Sequence, residues 1–486
     1  MILKNTSSLF ANEVLLLADY AARDSLWKPE AQKALDAYTR DLFADDAIAA
    51  IQKARRVIRI FVAGRENDAA LKDRLSSAAL TNWGDFTEPP APRALQDSLT
   101  DMLYIVRDRN EVPLIELGDQ ARYIGVKLFD RCVAEHLTFD VSVHDENFST
   151  LLMDACDEAG IGALAAHTIK TRENITTRIL VHHNLPVWEV IKPDETKQRL
   201  YRTLLAPWRE KVLSGKLRSV LTSIPTTKDA EVDQIDYKEY AELYFRMCDQ
   251  PWDLIKTAQY ALIEKLNAGK ILRFTNSDGT DLKMNIDGFT FCNSVVARNI
   301  PGSEVFSAPA INSTNGTIAA KGRFSSKEEA GAIMEDITLV FKDGLLVSAR
   351  AEKGQAHLDQ ALSVDAGAKR IGEIGIGTNP YLKRHVASIL LSEKIGGSFH
   401  VALGDAYTMT DYLGDPVVVD NGNRSHLHWD ITTMLVGKQG RITLDGADIM
   451  IDGLFTDPAL DVLNRGWQAM PFDQRPAEWQ KIYPDA

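Results

Sequence analysis

The sequence predicts an α/β N-terminal domain followed by a largely β (α+β) C-terminal domain. Three observations lead there. The chain has 486 residues, 45% of them apolar and 25% charged, which is more than one ordinary core accommodates and is a normal globular balance. Its first half alternates strand-like and helix-like runs, the pattern from which parallel sheets are built. From about residue 250 onward, short strands joined by Gly-bearing turns dominate.

The elements follow in order. Met1–Asp19 is apolar around Val14–Ala18 but is interrupted by Glu13 and Asp19. Without a basic n-region or a small-residue cleavage site, it reads as an amphipathic helix and not as a signal peptide. Val57–Gly64 (VIRIFVAG) is a buried-strand pattern, and Asn67–Leu80 is the helical run after it. A Pro-rich break falls at Glu88–Pro92. Helices are expected over Ala121–Ala134, Phe148–Ala159 and Gln198–Leu213, with a strand at Thr138–Val143. Polar Thr226–Asp236 reads as a connecting loop. Pro251 suits the first turn of a helix that Asp249 would cap and Gly269 would close. Strands are then expected at Ile271–Thr275, Leu282–Ile286, Phe399–Leu403, His428–Leu435 and Ile442–Ile451, the last with Asp445-Gly446 in a turn. Ile337–Phe341 and Leu345–Ala351 form a hairpin around Lys342-Asp343-Gly344.

Composition excludes several function classes. The chain carries 55 Lys plus Arg against 68 Asp plus Glu, a formal charge of −13. That balance argues against sequence-independent nucleic-acid binding, which needs a basic footprint. No window approaches the ~18 uninterrupted apolar residues of a membrane span. Cys132, Cys156, Cys248 and Cys292 are widely spaced with no CxxC pair, so neither a disulfide scaffold nor a thiolate zinc cluster is expected. Free thiols suit a reducing, cytoplasmic setting. GxSxG, GxxxxGK[ST] and HExxH are absent. Gly372, Gly375 and Gly377 give GxxGxG, which is not the dinucleotide fingerprint. Asn276–Asp281 resembles a calcium loop, but its Gly comes too early for an EF-hand, and it reads as a polar turn.

The histidines carry more. Three of the ten, His400, His426 and His428, fall close together. In Ser425-His-Leu-His-Trp-Asp430, positions 426, 428 and 430 share one face of an extended strand, with Leu427, Trp429 and Ile431 on the other. His and carboxylate on one face suit zinc, cobalt, manganese or iron; a solvated strand face is the alternative. Upstream, His400 lies in a second strand pattern, where a structural role is the alternative. Glu373 in IGEIGI and Glu304 in IPGSEVFSAP place carboxylates in apolar, Gly- or Pro-rich surroundings, where an unpaired charge is costly. For Glu304 a surface turn is the alternative. Several carboxylates with two or three His are the ligand stock of a two-metal hydrolytic site.

Five blocks taken in order, Asp278-Gly-Thr-Asp-Leu282, Asn299–Pro309, Gly372-Glu-Ile-Gly375, His400–Tyr407 and His428-Trp-Asp430, resemble the aminopeptidase T family of metallopeptidases. The resemblance is clear over about 250–455 and looser over 113–249. It implies an N-terminal extension or diverged start at 1–112, an α/β domain at 113–249 and a metal-binding catalytic domain at 250–486. It implies metal ligands at Glu304, Glu373, His400, Tyr407, His428 and Asp430. A further acidic ligand of the family lies five residues before the first His, where this chain has Ile395. Glu393 is the nearest candidate, if two residues such as Gly396 and Gly397 are insertions. His426 has no counterpart in that set.

The implied activity is that of a metallo-aminopeptidase or related amide hydrolase, a homodimer acting on a peptide or small amide. Two divalent ions (zinc, cobalt or manganese) would be bridged by a carboxylate such as Glu373. Glu393 would carry the proton, and Tyr407 would serve as ligand or oxyanion donor. Glu373–Pro380 (EIGIGTNP) resembles a divergent branch of the wider superfamily. That group includes 2,5-dihydroxypyridine dioxygenases, which hold one iron by two His and one Asp. His400, His428 and Asp430 could supply that set. Glu304, Glu373 and Tyr407 together favour two metals and hydrolysis.

Overall fold

The computed structural model describes residues 89–118, 121–144, 157–183, 194–213, 217–295, 298–325 and 332–484. The expected helix at Met1–Asp19, the strand at Val57–Gly64, the helix at Asn67–Leu80 and most of the helix at Phe148–Ala159 lie outside these residues. Two compact units are distinguished, one containing Thr100–Thr226 and the other Ala91–Leu99 together with Thr227–Ala486. Helix and sheet are mixed in the chain.

The first unit holds a parallel sheet of β1 (Pro113–Gly118), β2 (Asp140–His144), β3 (Thr177–His183) and β4 (Arg218–Ile224), in the order β2-β1-β3-β4. Parallel neighbours need crossovers, and helices Arg122–Ala134 and Glu158–Thr171 lie between successive strands of the chain. Asp157 caps the second of these by accepting from the Gly160 N–H at 2.7 Å. The single helix expected over Gln198–Leu213 is two, Glu195–Leu204 and Ala206–Leu213. Pro207 explains the break: it has no N–H for the carbonyl four residues back and is tolerated only in a first turn. The loop expected at Thr226–Asp236 contains a helix, Thr227–Asp233, in which only Ala230 is buried. One inward residue gives no periodic stripe to read.

The second unit is built mainly from strands. In chain order these include β5 (Ile271–Thr275), β6 (Asp281–Asn285), β7 (Cys292–Ser294), β8 (Glu304–Ser307), β9 (Asn315–Ser325), β10 (Ile333–Lys342), β11 (Leu345–Lys353), β12 (Ile371–Gly377), β13 (Ser398–Gly404), β14 (His428–Met434), β15 (Arg441–Leu444), β16 (Ala447–Ile451) and β17 (Leu454–Phe455). They form an antiparallel sheet ordered β11-β10-β9-β6-β5-β15-β16-β17 and a second one ordered β14-β13-β12-β8-β7. The β10–β11 hairpin turns on Asp343 (φ 50°) and Gly344 (φ 74°), the left-handed pair that a two-residue hairpin requires. Asp445-Gly446 does the same between β15 and β16. Asn276 organises the polar turn before β6, its Oδ1 accepting from the Asp278 and Thr280 N–H groups.

Helix Trp252–Ala268 begins after Pro251 and closes at Gly269, as expected. Asp249 does not cap it. Its carboxylate accepts instead from Ser98 Oγ and Trp479 Nε1, each at 2.7 Å. The helix buries Ile255, Leu262 and Leu266 in a core shared with Phe274, Leu339, Ile374, Val401, Trp429 and Ile431. Phe274 of one sheet stacks on Phe399 of the other, with ring centroids 4.2 Å apart. One face of the smaller sheet is thereby committed to the core, and strand alternation leaves the opposite face for other chemistry.

Candidate metal centre

The core face of the smaller sheet carries Val305, Ile374, Ile376, Phe399, Val401, Leu403, Trp429 and Ile431. Period-two alternation sends Glu304, Glu373, Gly375, Gly377, His400, Ala402, His428 and Asp430 to the other face. Register then brings them together: Glu304 opposes Gly377, Gly375 opposes His400, Glu373 opposes Ala402, which in turn opposes Asp430, and Gly404 opposes His428. The missing side chain at Gly375 clears the space into which His400 reaches. At Gly375 a Cβ would stand 2.1 Å from His400 Cε1 and 2.2 Å from Nε2.

Two triads result. Glu304, Glu373 and His400 form one, and Glu373, His428 and Asp430 the other; in each, three ligand atoms lie within 4.8 Å of one another. His400 Nε2 is 3.4 Å from Glu304 Oε2 and 3.7 Å from Glu373 Oε1. His428 Nε2 is 3.3 Å from Glu373 Oε2 and 3.7 Å from Asp430 Oδ1. On its other side, His428 Nδ1 lies 2.8 Å from the Asp405 carbonyl. That oxygen only accepts, so Nδ1 carries the proton and Nε2 is directed into the site. Glu304 Oε2, Glu373 Oε2 and both ring nitrogens of His400 are buried and make no hydrogen bond among the described residues. Orphaned polar atoms of this kind are costly without a partner, and a carboxylate–imidazole set of them fits a divalent cation.

The electrostatics follow from crowding. Burial pulls His400 down, but Glu373 and Glu304 outweigh it and raise the imidazole to about 9. For His428 burial is likewise outweighed, by Glu373 and Asp430, and the ring rises to about 10. Burial would raise the Glu373 carboxyl; the two imidazoles overcome it and hold it well below the carboxylate range. Tyr407 places its ring against Phe306 (5.4 Å) and His428 (5.5 Å). Burial first, and then Glu373 and Asp430, push its phenol well up, so it stays a neutral donor. The residue as a whole is 37% exposed, although its phenol is surrounded by protein.

One expectation changes here. His426 does not share the face of His428 and Asp430: β14 begins at His428, and His426 is exposed before it, its backbone N–H donating to Asp365 Oδ2 at 2.7 Å. An i, i+2, i+4 argument holds only while the chain is extended. The GxxGxG segment is part of β12, every residue of it buried.

Lys394 was not foreseen. It is wholly buried, its ammonium donating to Glu304 Oε1 and, at 2.9 Å, to Glu393 Oε2. Burial pulls the ammonium down, but Glu304 and Glu393 outweigh it and keep it charged. Glu393 thus stands beside Glu304 through a lysine. Asn379 holds this turn in place, its N–H donating to the Lys394 carbonyl at 2.9 Å and its Oδ1 accepting from the Tyr381 and Leu382 N–H groups. A second network steadies the Glu304 end: Gln259 Nε2 donates to Thr378 Oγ1 at 2.7 Å, and Thr378 Oγ1 lies 3.1 Å from Ser303 Oγ. The only sequence signal was a lysine within Ile389–Ile395, too short a run to separate from a surface turn.

Known proteins resemble this chain over the same region. It is 27% identical over 222 residues to Aminopeptidase T of Thermus thermophilus, covering 42% of this chain and 51% of that one. It is 30% identical over 180 residues to Aminopeptidase 2 of Geobacillus stearothermophilus, covering 33% and 37%. The chain thus spans about half the length, or less, of these curated relatives. The solved structure of wild-type AmpT from Thermus thermophilus superposes with a TM-score of 0.60 at 19% identity, over 75% of this chain and all of that one, and shows a shared fold. Residues 139–454, which contain β2 to β4 and every residue of both triads, match the family described as thermophilic metalloprotease (M29). With that match covering well over half of its length, the chain belongs to the M29 family of metalloproteases.

Proposed function

We propose that the chain is a metal-dependent aminopeptidase, or a related amide hydrolase, that works with two divalent ions such as zinc, cobalt or manganese. The observation that carries this reading is Glu373, one buried carboxylate shared by two triads. When bound, such ions polarise a carbonyl and bring the pKa of a water to about 7. Glu304, Glu373 and His400 would hold one, and Glu373, His428 and Asp430 the other, with Tyr407 at the rim.

The chain's own groups supply the rest. Tyr407, kept protonated by burial and by its carboxylate neighbours, donates to the oxygen that gains charge as the amide is attacked. Glu393 is held ionised: burial would raise its carboxyl, but Lys394 outweighs it. It can therefore accept a proton and return it to the leaving amine. The names of the M29 relatives support a substrate with a free α-amine. The buried free thiols Cys132, Cys248 and Cys292 fit a cytoplasmic setting, and a homodimer belongs to the same reading. Among the described residues no helix is long and apolar enough to cross a membrane.

The test is hydrolysis of a leucyl anilide by metal-loaded protein, repeated with the N-acetylated substrate. Cleavage of the free amine alone supports the aminopeptidase; equal cleavage of both sends the assignment to an amidase or endopeptidase. A one-iron ring-cleaving oxygenase would need only His400, His428 and Asp430, and would leave Glu304 and Glu373 unused in the same site. Oxygen uptake with a hydroxylated pyridine and no anilide cleavage would move the assignment to it.

A further inference from the structure

The two triads share Glu373, and a lysine is bound to Glu304, the carboxylate that only the first of them uses. Lys394 is 0% exposed, and its ammonium is bound to Glu304 Oε1 and Glu393 Oε2. Glu304 is the carboxylate that only the first triad uses, and its other oxygen faces His400 Nε2 at 3.4 Å. The ammonium therefore sits one carboxylate away from where an ion on that triad would lie. Glu373, by contrast, has the two histidines as its cationic neighbours, and these become neutral ligands when they hold a metal.

An ion on the first triad would lie beside an ammonium that already satisfies Glu304. Like charges this close, with water excluded, repel strongly.

We infer that Lys394 is a built-in cation that makes the two metal positions unequal. A first divalent ion binds tightly on Glu373, His428 and Asp430. A second binds weakly on Glu304, Glu373 and His400, because it competes with the ammonium for Glu304. This rests on the two-triad reading above and deepens it. It also assigns Glu393 a second partner role: it holds Lys394 in place, so that the ammonium stays on Glu304 while the first ion binds.

The experiment is a calorimetric titration of metal-free protein with zinc, with cobalt absorption as a second readout that reports ligand geometry. For the native sequence two steps are expected, the second weaker by on the order of 100-fold or more. Lys394→Met keeps the side chain's length and removes its charge, and it should narrow the gap to about tenfold or less, chiefly by tightening the second step. Losing the ammonium leaves Glu304 and Glu393 buried together, so circular dichroism must show the variant folded. If it is not, Lys394→Met combined with Glu393→Gln removes the whole ion pair, keeps the net charge, and should narrow the gap in the same way. Two equal steps in the native protein, or a gap unchanged in the folded variant, would overturn the inference. Asp430→Asn separates this from failure of the underlying reading. It should abolish the tight step, and if it leaves zinc binding untouched, the two triads are not the metal site at all.

Discussion

Gly375→Ala tests how the site is made. Gly375 pairs with His400 on one side and with Phe306 on the other, in the middle of the smaller sheet. A Cβ there would lie 2.1 Å from His400 Cε1, whereas ordinary contact begins at 3.4 Å, so the ring must retreat by about 1.3 Å (3.4 − 2.1 Å). His400 is completely buried, and its Nε2 is already placed 3.4 and 3.7 Å from two carboxylates. Overpacking of this kind costs about 1–3 kcal/mol, and a 1 Å displacement of a working group costs roughly 100-fold in rate. The expected result is a folded protein with a modestly lowered melting temperature. It should have one zinc step missing or weakened, and anilide hydrolysis reduced by about two orders of magnitude. Gly162→Ala is the control. It adds a methyl group within helix Glu158–Thr171 where nothing lies within 4 Å, and should stabilise by up to about 1 kcal/mol without touching turnover. Gly375→Ala with native zinc binding and native rate would refute the claim that glycine opposite His400 builds the site.

Two other outcomes are expected. Glu304→Gln keeps shape and removes one charge, so it should eliminate the weaker zinc step, spare the tight one and lower hydrolysis severely; unchanged stoichiometry with near-native rates would remove Glu304 from the mechanism. His385 gives a pH dependence away from the site. Burial holds its imidazole down from 6.5 to about 4, against the opposing pull of Asp336, and its ring lies 4.8 Å from that of Phe324. The unfolded chain takes up the proton first as pH falls, so this contribution to stability is intact above pH 6.5 and is lost progressively down to pH 4. The loss is about 3 kcal/mol, from about 1.36 kcal/mol per pH unit. Denaturant unfolding of His385→Phe should show a flatter decline across that window, and a parallel decline would exclude His385 as its source.

The elements legible in the sequence are those that carry their cause within a few residues. Ile271–Thr275 is a strand with those bounds, because its alternation and flanking turns are local. Asp343-Gly344 and Asp445-Gly446 make their hairpins because only certain residues tolerate positive φ. His428 and Asp430 share a strand face because two residues is the pleat period. β12 was harder. IGEIGIG has three glycines, which weaken a strand in isolation, and at Gly375 the reason lies on the neighbouring strand, where His400 needs the space. Helix Thr227–Asp233 was missed for a related reason: one buried alanine makes no pattern.

Residue types and order alone gave the candidate ligands, the largely β character of the second half and, through five ordered blocks, the family. Only the tertiary structure decided which ligands meet. Glu373 belongs to two triads because β12 lies between β8 and β13, and His426 belongs to neither because the extended chain starts two residues after it. Lys394 is the clearest case. Lysine is almost always exposed, and nothing within seven residues of it announces a buried ammonium. Its partners are Glu393 beside it and Glu304, ninety positions away. A charge is stable in the interior only where such partners converge, and convergence over that separation is a property of the folded sheet.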